Sequence, residues 1–458
     1  MLQKTAFATA ICAVFSGIAS AGSTMNGPMA FDPIAGSAYT PELTTDIGTL
    51  TTAPWKLPEG YQQIIVSDET DLDIYPSFAC TSFPKTADWT DMSTVNETQK
   101  HAGRYLYRTH EVRPFLMAPD CGATTPAAIA AYKATGGGAL SVVDLETGAA
   151  KILAQREDWE ALDGIVWTPW HTILFAEETL GQEIPDPDYP AAKAGLLYEI
   201  ALAKGDPTTA AGPAVARPMV GSLSHEGIEI DAEGNVYIID ENRRGSIYKF
   251  VPENYGDLSS GQLYVLKTES ASKTGPATWV ALDMDLAQTD AFAAATAAEA
   301  TTYCRPEDLE RIGDTLYAAL TCENVADPAS TSGAGAVLSI TLDGSPKVNY
   351  FVGHGINVVA ENKAAGITGF KSPDNLASGP DGRLWIVEDN VPSDIWVAEP
   401  DNDGDGASDG VHLFASLKDD GAEGSGIYFG KDPQTLFVNI QHSVTGSDKT
   451  MAITKRKN

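Results

Sequence analysis

Acidic residues close one short apolar strand after another in this sequence, and their chemistry is that of hard oxygen ligands. In the stretch Ser224–Phe250, Glu226 stands before a first strand marked by Ile228 and Ile230, and Asp240-Glu241 ends a second one containing Val236, Ile238 and Ile239. Similar apolar runs end in His110-Glu111, Glu177-Glu178, Cys322-Glu323, Glu388-Asp389 and His442. No His-x-x-x-His or Cys-x-x-Cys spacing accompanies them, which argues against structural zinc. Carboxylates gathered in number suit oxygen-loving cations. Such ions can activate water and neutralise an anionic substrate.

The strands that must position these groups form a repeat. Ala232-Glu233-Gly234-Asn235 is a turn, and Asn242-Arg243-Arg244-Gly245 is a second turn before Ile247-Tyr248-Lys249-Phe250. An antiparallel meander brings the start of its first strand beside the end of its second, so Glu226 and Asp240-Glu241 share one edge of the sheet. Copies of the middle strand begin at Gly103, His171, Gly313, Gly382 and Gln434, which with the Gly234 copy makes six, roughly 50 to 80 residues apart. The pattern predicts an all-β, six-bladed β-propeller with loop and short helical insertions. In that fold the polar strand ends converge on one mouth of the central channel, and a metal site is expected there. The alanine-rich Asp290–Ala300 and Thr124–Ala131 stretches are insertions between strands, and Leu57–Val66 is the first strand signal.

The chain carries 30 Lys+Arg against 62 Asp+Glu, a formal net charge of −32. A field of that sign repels phosphate polyanions, so a nucleic-acid binder is excluded on bulk electrostatics. Residues 1–21 contain Lys4, an apolar run from Ala6 to Phe15, and Ala19-Ser20-Ala21, the pattern of a secretory signal with its cleavage site. The expected mature protein is therefore residues 22–458, a single propeller domain, secreted or periplasmic. No other stretch approaches about 18 uninterrupted apolar residues, so no membrane span is expected. Removing the signal takes Cys12 with it and leaves four cysteines, an even number that points to two disulfides in an oxidising compartment. Cys304 opens the inner strand of its blade and Cys322 ends the next, which makes them cross-strand neighbours. Cys80 with Cys121 follows by elimination.

Five segments in order carry a resemblance. Thr168-Pro-Trp-His-Thr-Ile-Leu-Phe-Ala-Glu177-Glu178, His225-Glu226-Gly227, Arg305-Pro306-Glu307-Asp308, Ser372-Pro373-Asp374-Asn375 with Gly382-Arg-Leu-Trp-Ile, and Leu436-Phe-Val-Asn-Ile-Gln-His442 resemble the PhoX-type alkaline phosphatase family. The resemblance runs from about Leu57 to Gly446. It implies a secreted six-bladed propeller that hydrolyses phosphate monoesters at a cluster of iron and calcium ions. Carried over by position, Glu178, Glu226, Glu307 and Asp374 fall on metal ligands, Asp158 on a further carboxylate ligand, and Glu111 on the family's early His-Glu pair. Arg305 falls on an arginine that contacts the substrate phosphate. The family's cysteine that bridges two irons falls on Asp163, a harder ligand, so Ca2+ is the expected cofactor and Fe3+ would have to be held by oxygen. A free Cys304 thiolate standing in for the missing sulfur is the alternative to its disulfide. A twin-arginine export signal, usual in the family, is missing from residues 1–21.

Plainer readings stand beside these. Arg305 offers a bidentate fork, but an ion pair with Glu307 or Glu323 would equally order the mouth. His225 alternates with Glu226 along the strand and should be packed away from it. Arg243 and Arg244 fit a solvated turn, and Trp170 and Trp385 fit the core. Asp401-Asn-Asp403-Gly-Asp405-Gly406-Ala-Ser-Asp409 has the oxygen spacing of a calcium loop, with His412 where an EF-hand places its glutamate. Two other functions use the same fold: a calcium-dependent lactonase or esterase, and a non-catalytic extracellular propeller stiffened by calcium. The expected partner is a small phosphoester, and the expected state a monomer.

Overall fold

A computed structural model of the chain describes residues 28–34, 42–72, 89–112, 125, 127, 137–156, 158–182, 184–357, 367 and 369–456. The proposed signal, Cys80 with Cys121, and nearly all of Thr124–Ala131 lie outside them.

Six four-stranded antiparallel meanders follow one another along the chain. Their innermost strands are Trp89–Val95, Leu162–Trp167, Ile228–Ile230, Pro306–Ile312, Pro373–Ser378 and Glu423–Phe429, which we number blades 1 to 6. Each inner strand lies against the next, and that of blade 6 returns to blade 1, so the ring is closed. Blade 6 takes its outermost strand from the start of the chain: Tyr61–Asp68 pairs antiparallel with Lys449–Lys455. The early strand signal therefore belongs to the last blade. The short strand Trp55–Lys56 likewise extends blade 5 by pairing with Val411–Leu417.

The apolar residues of each blade alternate between its two neighbours, because successive side chains on a strand point to opposite faces. In blade 3, Val236 and Ile238 pack with Leu174 and Leu197 of blade 2. Tyr237 and Ile239 pack with Leu309 and Leu316 of blade 4. Both faces of the sheet are thus buried, which is why the middle strands read as nearly continuous apolar runs. Trp385 belongs to the core between blades 5 and 6. Trp170 packs at the margin of another core cluster and donates from Nε1 to Glu199 at 2.7 Å.

The alanine-rich insertion contains the helix Ala291–Ala297, capped by Asp290, whose side chain accepts from the Ala293 N–H. Cys304 and Cys322 form a disulfide with Cα atoms 5.2 Å apart, as the meander register requires. That pairing replaces the alternative of a free Cys304 thiolate.

Candidate metal centre

One cavity of about 290 Å3 opens at the channel mouth, and every blade contributes to its lining. The inner strands bring Asp91, Asp163, Glu307, Asp374 and Glu423, and Glu226 comes two residues ahead of the inner strand of blade 3, which makes one acid per blade. In blades 1, 2, 4 and 5 the strand register shifts across the acid itself. A bulge at that point re-aims one side chain without ending the strand. Ala161, Arg305 and Ser372, each two residues ahead of such an acid, hold a left-handed backbone with φ of 45°, 48° and 49°. Strain of this kind persists where the surrounding structure enforces it. Glycines after two of the acids let the inner strands crowd together: a Cβ on Gly164 would meet Glu226 O at 1.7 Å, and one on Gly227 would meet Leu309 N at 2.3 Å.

The second strands supply the outer acids, and alternation decides which member of each acidic pair faces the cavity. Glu177 turns away and accepts from the Glu160 and Leu196 N–H groups at 3.0 and 3.1 Å, while Glu178 lines the cavity. Glu388 accepts from the Lys371 N–H and Trp396 Nε1 at 2.7 and 2.8 Å, while Asp389 lines the cavity. Asp240 is buried and Glu241 lines the cavity. Blade 4 departs from the pattern. Glu323 is fully buried, bound by Lys273 Nζ at 2.8 Å and by the Tyr350 hydroxyl at 3.0 Å.

Of the residues singled out in the sequence, Glu111, Asp163, Glu178, Glu226, Glu307, Asp374 and Arg305 meet in this cavity. Asp158 is not part of the lining among the described residues, and Arg156 Nη2 holds it at 2.5 Å. His225 is buried and its Nε2 is 3.1 Å from Gly221 O, a packed histidine as expected, with burial lowering it to about 4. Arg243 and Arg244 are exposed in their turn. Trp89, Asp91, Glu423 and Gln441 were not singled out, although the inner-strand acids recur one strand ahead of each outer acid.

Two groups of three carboxylates come close enough to share a cation. Asp91, Glu111 and Asp163 can place ligand oxygens within 4.8 Å of one another, and so can Glu226, Glu307 and Asp374. Amides fix both groups. Gln441 Nε2 donates to Asp91 at 2.9 Å and to Glu111 at 3.0 Å, and Asn375 Nδ2 donates to Glu226 at 3.1 Å. Thr321 donates its hydroxyl to Glu307. Burial, and then the charge of Glu307, holds Glu226 and Asp374 well above the ordinary carboxylate range. Burial and Glu111 do the same to Asp91. Such a cluster is poorly suited to full ionisation on its own, and a cation between the oxygens reverses that preference. The all-oxygen donor set fits hard cations.

Arg305 is the one arginine or lysine among the described lining residues. Its Nε is 2.6 Å from Glu241 and 3.1 Å from Glu307. The ion pair to Glu307 is thus present, whereas Glu323 belongs to Lys273 instead. A third acidic group, Asp401, Asp403 and Asp409, lies in the loop ahead of Val411–Leu417, outside this cavity.

A closed six-bladed propeller that gathers carboxylates from every blade around one arginine is a scaffold for cations that receive an anion. Residues 166–443 match the family model described as Alkaline phosphatase PhoX, and the chain belongs to that family of phosphatases. Among solved structures, Pseudomonas fluorescens PhoX in complex with vanadate, a transition-state analogue, superposes with a TM-score of 0.67 at 19% identity, covering 94% of this chain and 98% of that one. That likeness establishes the propeller fold. A gluconolactonase from Xanthomonas campestris matches with a TM-score of 0.42 at 13% identity, covering 90% and 93% of the two chains. The comparison with curated proteins gives no match.

Proposed function

We propose that this phosphatase hydrolyses phosphate monoesters at the channel mouth, using cations held by Glu111, Asp163, Glu178, Glu226, Glu307 and Asp374. The observation that carries this reading is the convergence of carboxylates from all six blades beside Arg305. When bound, the cations supply charge neutralisation of the phosphate and activation of a water nucleophile. The protein's part is to fix them. Gln441 and Asn375 orient the carboxylates through their amide donors, and the inner-strand bulges aim them inward. Arg305, braced through Nε, presents a planar fork to the phosphoryl oxygens and stabilises the charge that grows on them in the transition state.

Calcium is the cation we propose, because Asp163 puts oxygen where the family resemblance places a bridging thiolate. The Asp401–Asp409 loop would take a separate, structural Ca2+. We place the mature protein outside the cytoplasm, where calcium is abundant. Among the described residues, no helix is long and apolar enough to cross a membrane.

Elemental analysis of the purified protein together with turnover assays tests the reading. The expected result is bound Ca2+, hydrolysis of p-nitrophenyl phosphate, competitive inhibition by phosphate and no turnover of a lactone panel. Lactone hydrolysis without phosphoester hydrolysis would overturn it, as would metal binding with no turnover at all.

A further inference from the structure

The cavity has one side unlike the rest. Among its described lining residues, Trp89 and His442 are the ones that carry aromatic rings, and these rings touch, with centroids 4.4 Å apart and planes inclined by 60°. Trp89 opens the inner strand of blade 1, opposite Glu111 in the strand register, and is half-buried. His442 follows the second strand of blade 6 with φ of 59°, a backbone state that turns it toward the mouth, and its Nε2 is 3.2 Å from Glu423. In the closed ring, blade 1 neighbours blades 2 and 6 while blade 4 neighbours blades 3 and 5. Blade 1 therefore stands diametrically opposite Arg305, which enters from blade 4.

Resting on the phosphatase reading above, we propose that Trp89 and His442 form the leaving-group subsite, and that the preferred substrates are phosphate monoesters of neutral aromatic alcohols. A phosphoryl group engaged by Arg305 has two ways to direct its organic substituent, out to solvent or across the mouth. Across the mouth, the Trp89 and His442 faces offer the apolar contact, since the remaining lining is carboxylate apart from Gln441 and Arg305. Flat rings suit such a tilted pair, and face or edge contacts to it exceed simple area burial. Glu423, 3.2 Å from His442 Nε2 and not among the proposed cation ligands, disfavours a leaving group that bears its own negative charge on this side.

Three esters with the same kind of primary alkoxide leaving group separate recognition from intrinsic reactivity: ethyl phosphate, 2-phenylethyl phosphate and 2-(4-carboxyphenyl)ethyl phosphate. With the calcium-loaded protein, kcat/KM for the phenylethyl ester should exceed that for ethyl phosphate by roughly 2- to 10-fold, and the carboxylated ester should lose that advantage. Within the Trp89→Ala variant, the ratio of kcat/KM for the phenylethyl ester over ethyl phosphate should fall to about 1, a comparison of two esters in one protein that any general loss of activity leaves unaffected. Trp89→Phe, which keeps a ring, should retain part of the preference and guards against a folding defect in the alanine variant. A preference that survives in Trp89→Ala, or equal rates for the two neutral esters in the unmodified protein, would overturn the subsite alone. Failure to hydrolyse any of the three would overturn the phosphatase reading itself.

Discussion

Arg305 donates from Nε to Glu241 at 2.6 Å, an ion pair that ties the fourth blade to the third at the rim of the acidic cavity. The arginine is about one-third exposed, with a side-chain exposure of 32%, and its fork can reach an incoming anion while its root stays fixed. If it holds the transition state and no cation, Arg305→Ala should keep its metal content. Its kcat/KM should fall by roughly 10²–10³, or about 2.7–4 kcal/mol, as on deletion of one preorganised oxyanion donor. Arg305→Lys should recover only part, since an ammonium cannot contact two phosphoryl oxygens in the same plane. Full activity in the alanine variant with metals in place would remove Arg305 from catalysis.

The carboxylates should behave as a unit. Glu226, Glu307 and Asp374 come from three blades yet can share one cation, so replacing any of them with alanine should lower metal content and rate together. Asp163→Ala should do the same through the other group of three. Asp163→Cys should admit a softer ligand and with it coloured iron. Unchanged metal content in Asp163→Ala, read by elemental analysis, would exclude it as a ligand, and stoichiometric iron in the unmodified protein would contradict calcium as the cofactor.

The outer acids were legible because each ends an apolar run long enough to stand out: Glu178 after Thr172–Glu177, Asp389 after Leu384–Glu388. Their inner partners were harder to see. Glu423 begins Glu-Gly-Ser-Gly, which reads as a loop, and Asp91 falls inside a bulge that breaks the two-residue period. Asp158, placed on a ligand position by resemblance alone, is paired with Arg156 two residues away and lies outside the described cavity lining. Glu323 ends its strand as the repeat requires, but Lys273, on a loop between Gly261–Thr268 and Gly275–Ala281, captures it. Long-range pairing of that kind has no local sequence signal.

The disulfide has a structural consequence next to the site. Cys304 immediately precedes Arg305, and its N–H donates to Glu323 at 2.9 Å. Replacing both Cys304 and Cys322 with serine opens a crosslink of sequence separation 18. The expected loss is about 3 kcal/mol, read as a lower denaturation midpoint. Thiol titration of the denatured, unreduced mature protein should find no free cysteine, and a reactive Cys304 would refute the pairing.

The Asp401–Asp409 loop should matter to stability and not to chemistry. Asp401 Oδ1 accepts from the Gly404 and Asp405 N–H groups at 2.7 and 3.1 Å, and Gly406 takes φ of 97°. The loop is thereby wound with Asp401, Asp403 and Asp409 facing one point. Asp403→Ala should lower the calcium-dependent part of Tm while leaving kcat unchanged. A Tm difference that persists equally in EDTA would show that no ion acts there.

Calcium and pH should act on stability in opposite senses, and the sign follows from the raised carboxylates. In the metal-free protein burial and mutual repulsion hold Glu226, Asp374, Asp91 and Glu423 above their unfolded values. Between the unfolded and folded values the native state binds more protons than the unfolded chain. Their contribution is therefore fully present below the ordinary carboxylate range, and it is lost as pH rises through the raised folded values. The metal-free protein should accordingly lose Tm as pH climbs from about 4 into the neutral range. Bound calcium reverses this, because its ligands must be deprotonated, so its affinity grows over the same interval. At a free concentration of about 100 times Kd the ion should add about 2.7 kcal/mol per independent site. The gap in Tm between calcium and EGTA should thus widen from pH 5 to pH 8, and activity should vanish on chelation and return with added Ca2+. A gap independent of pH would mean that the buried carboxylates do not hold the ion, and phosphatase activity insensitive to EGTA would remove calcium from the reaction.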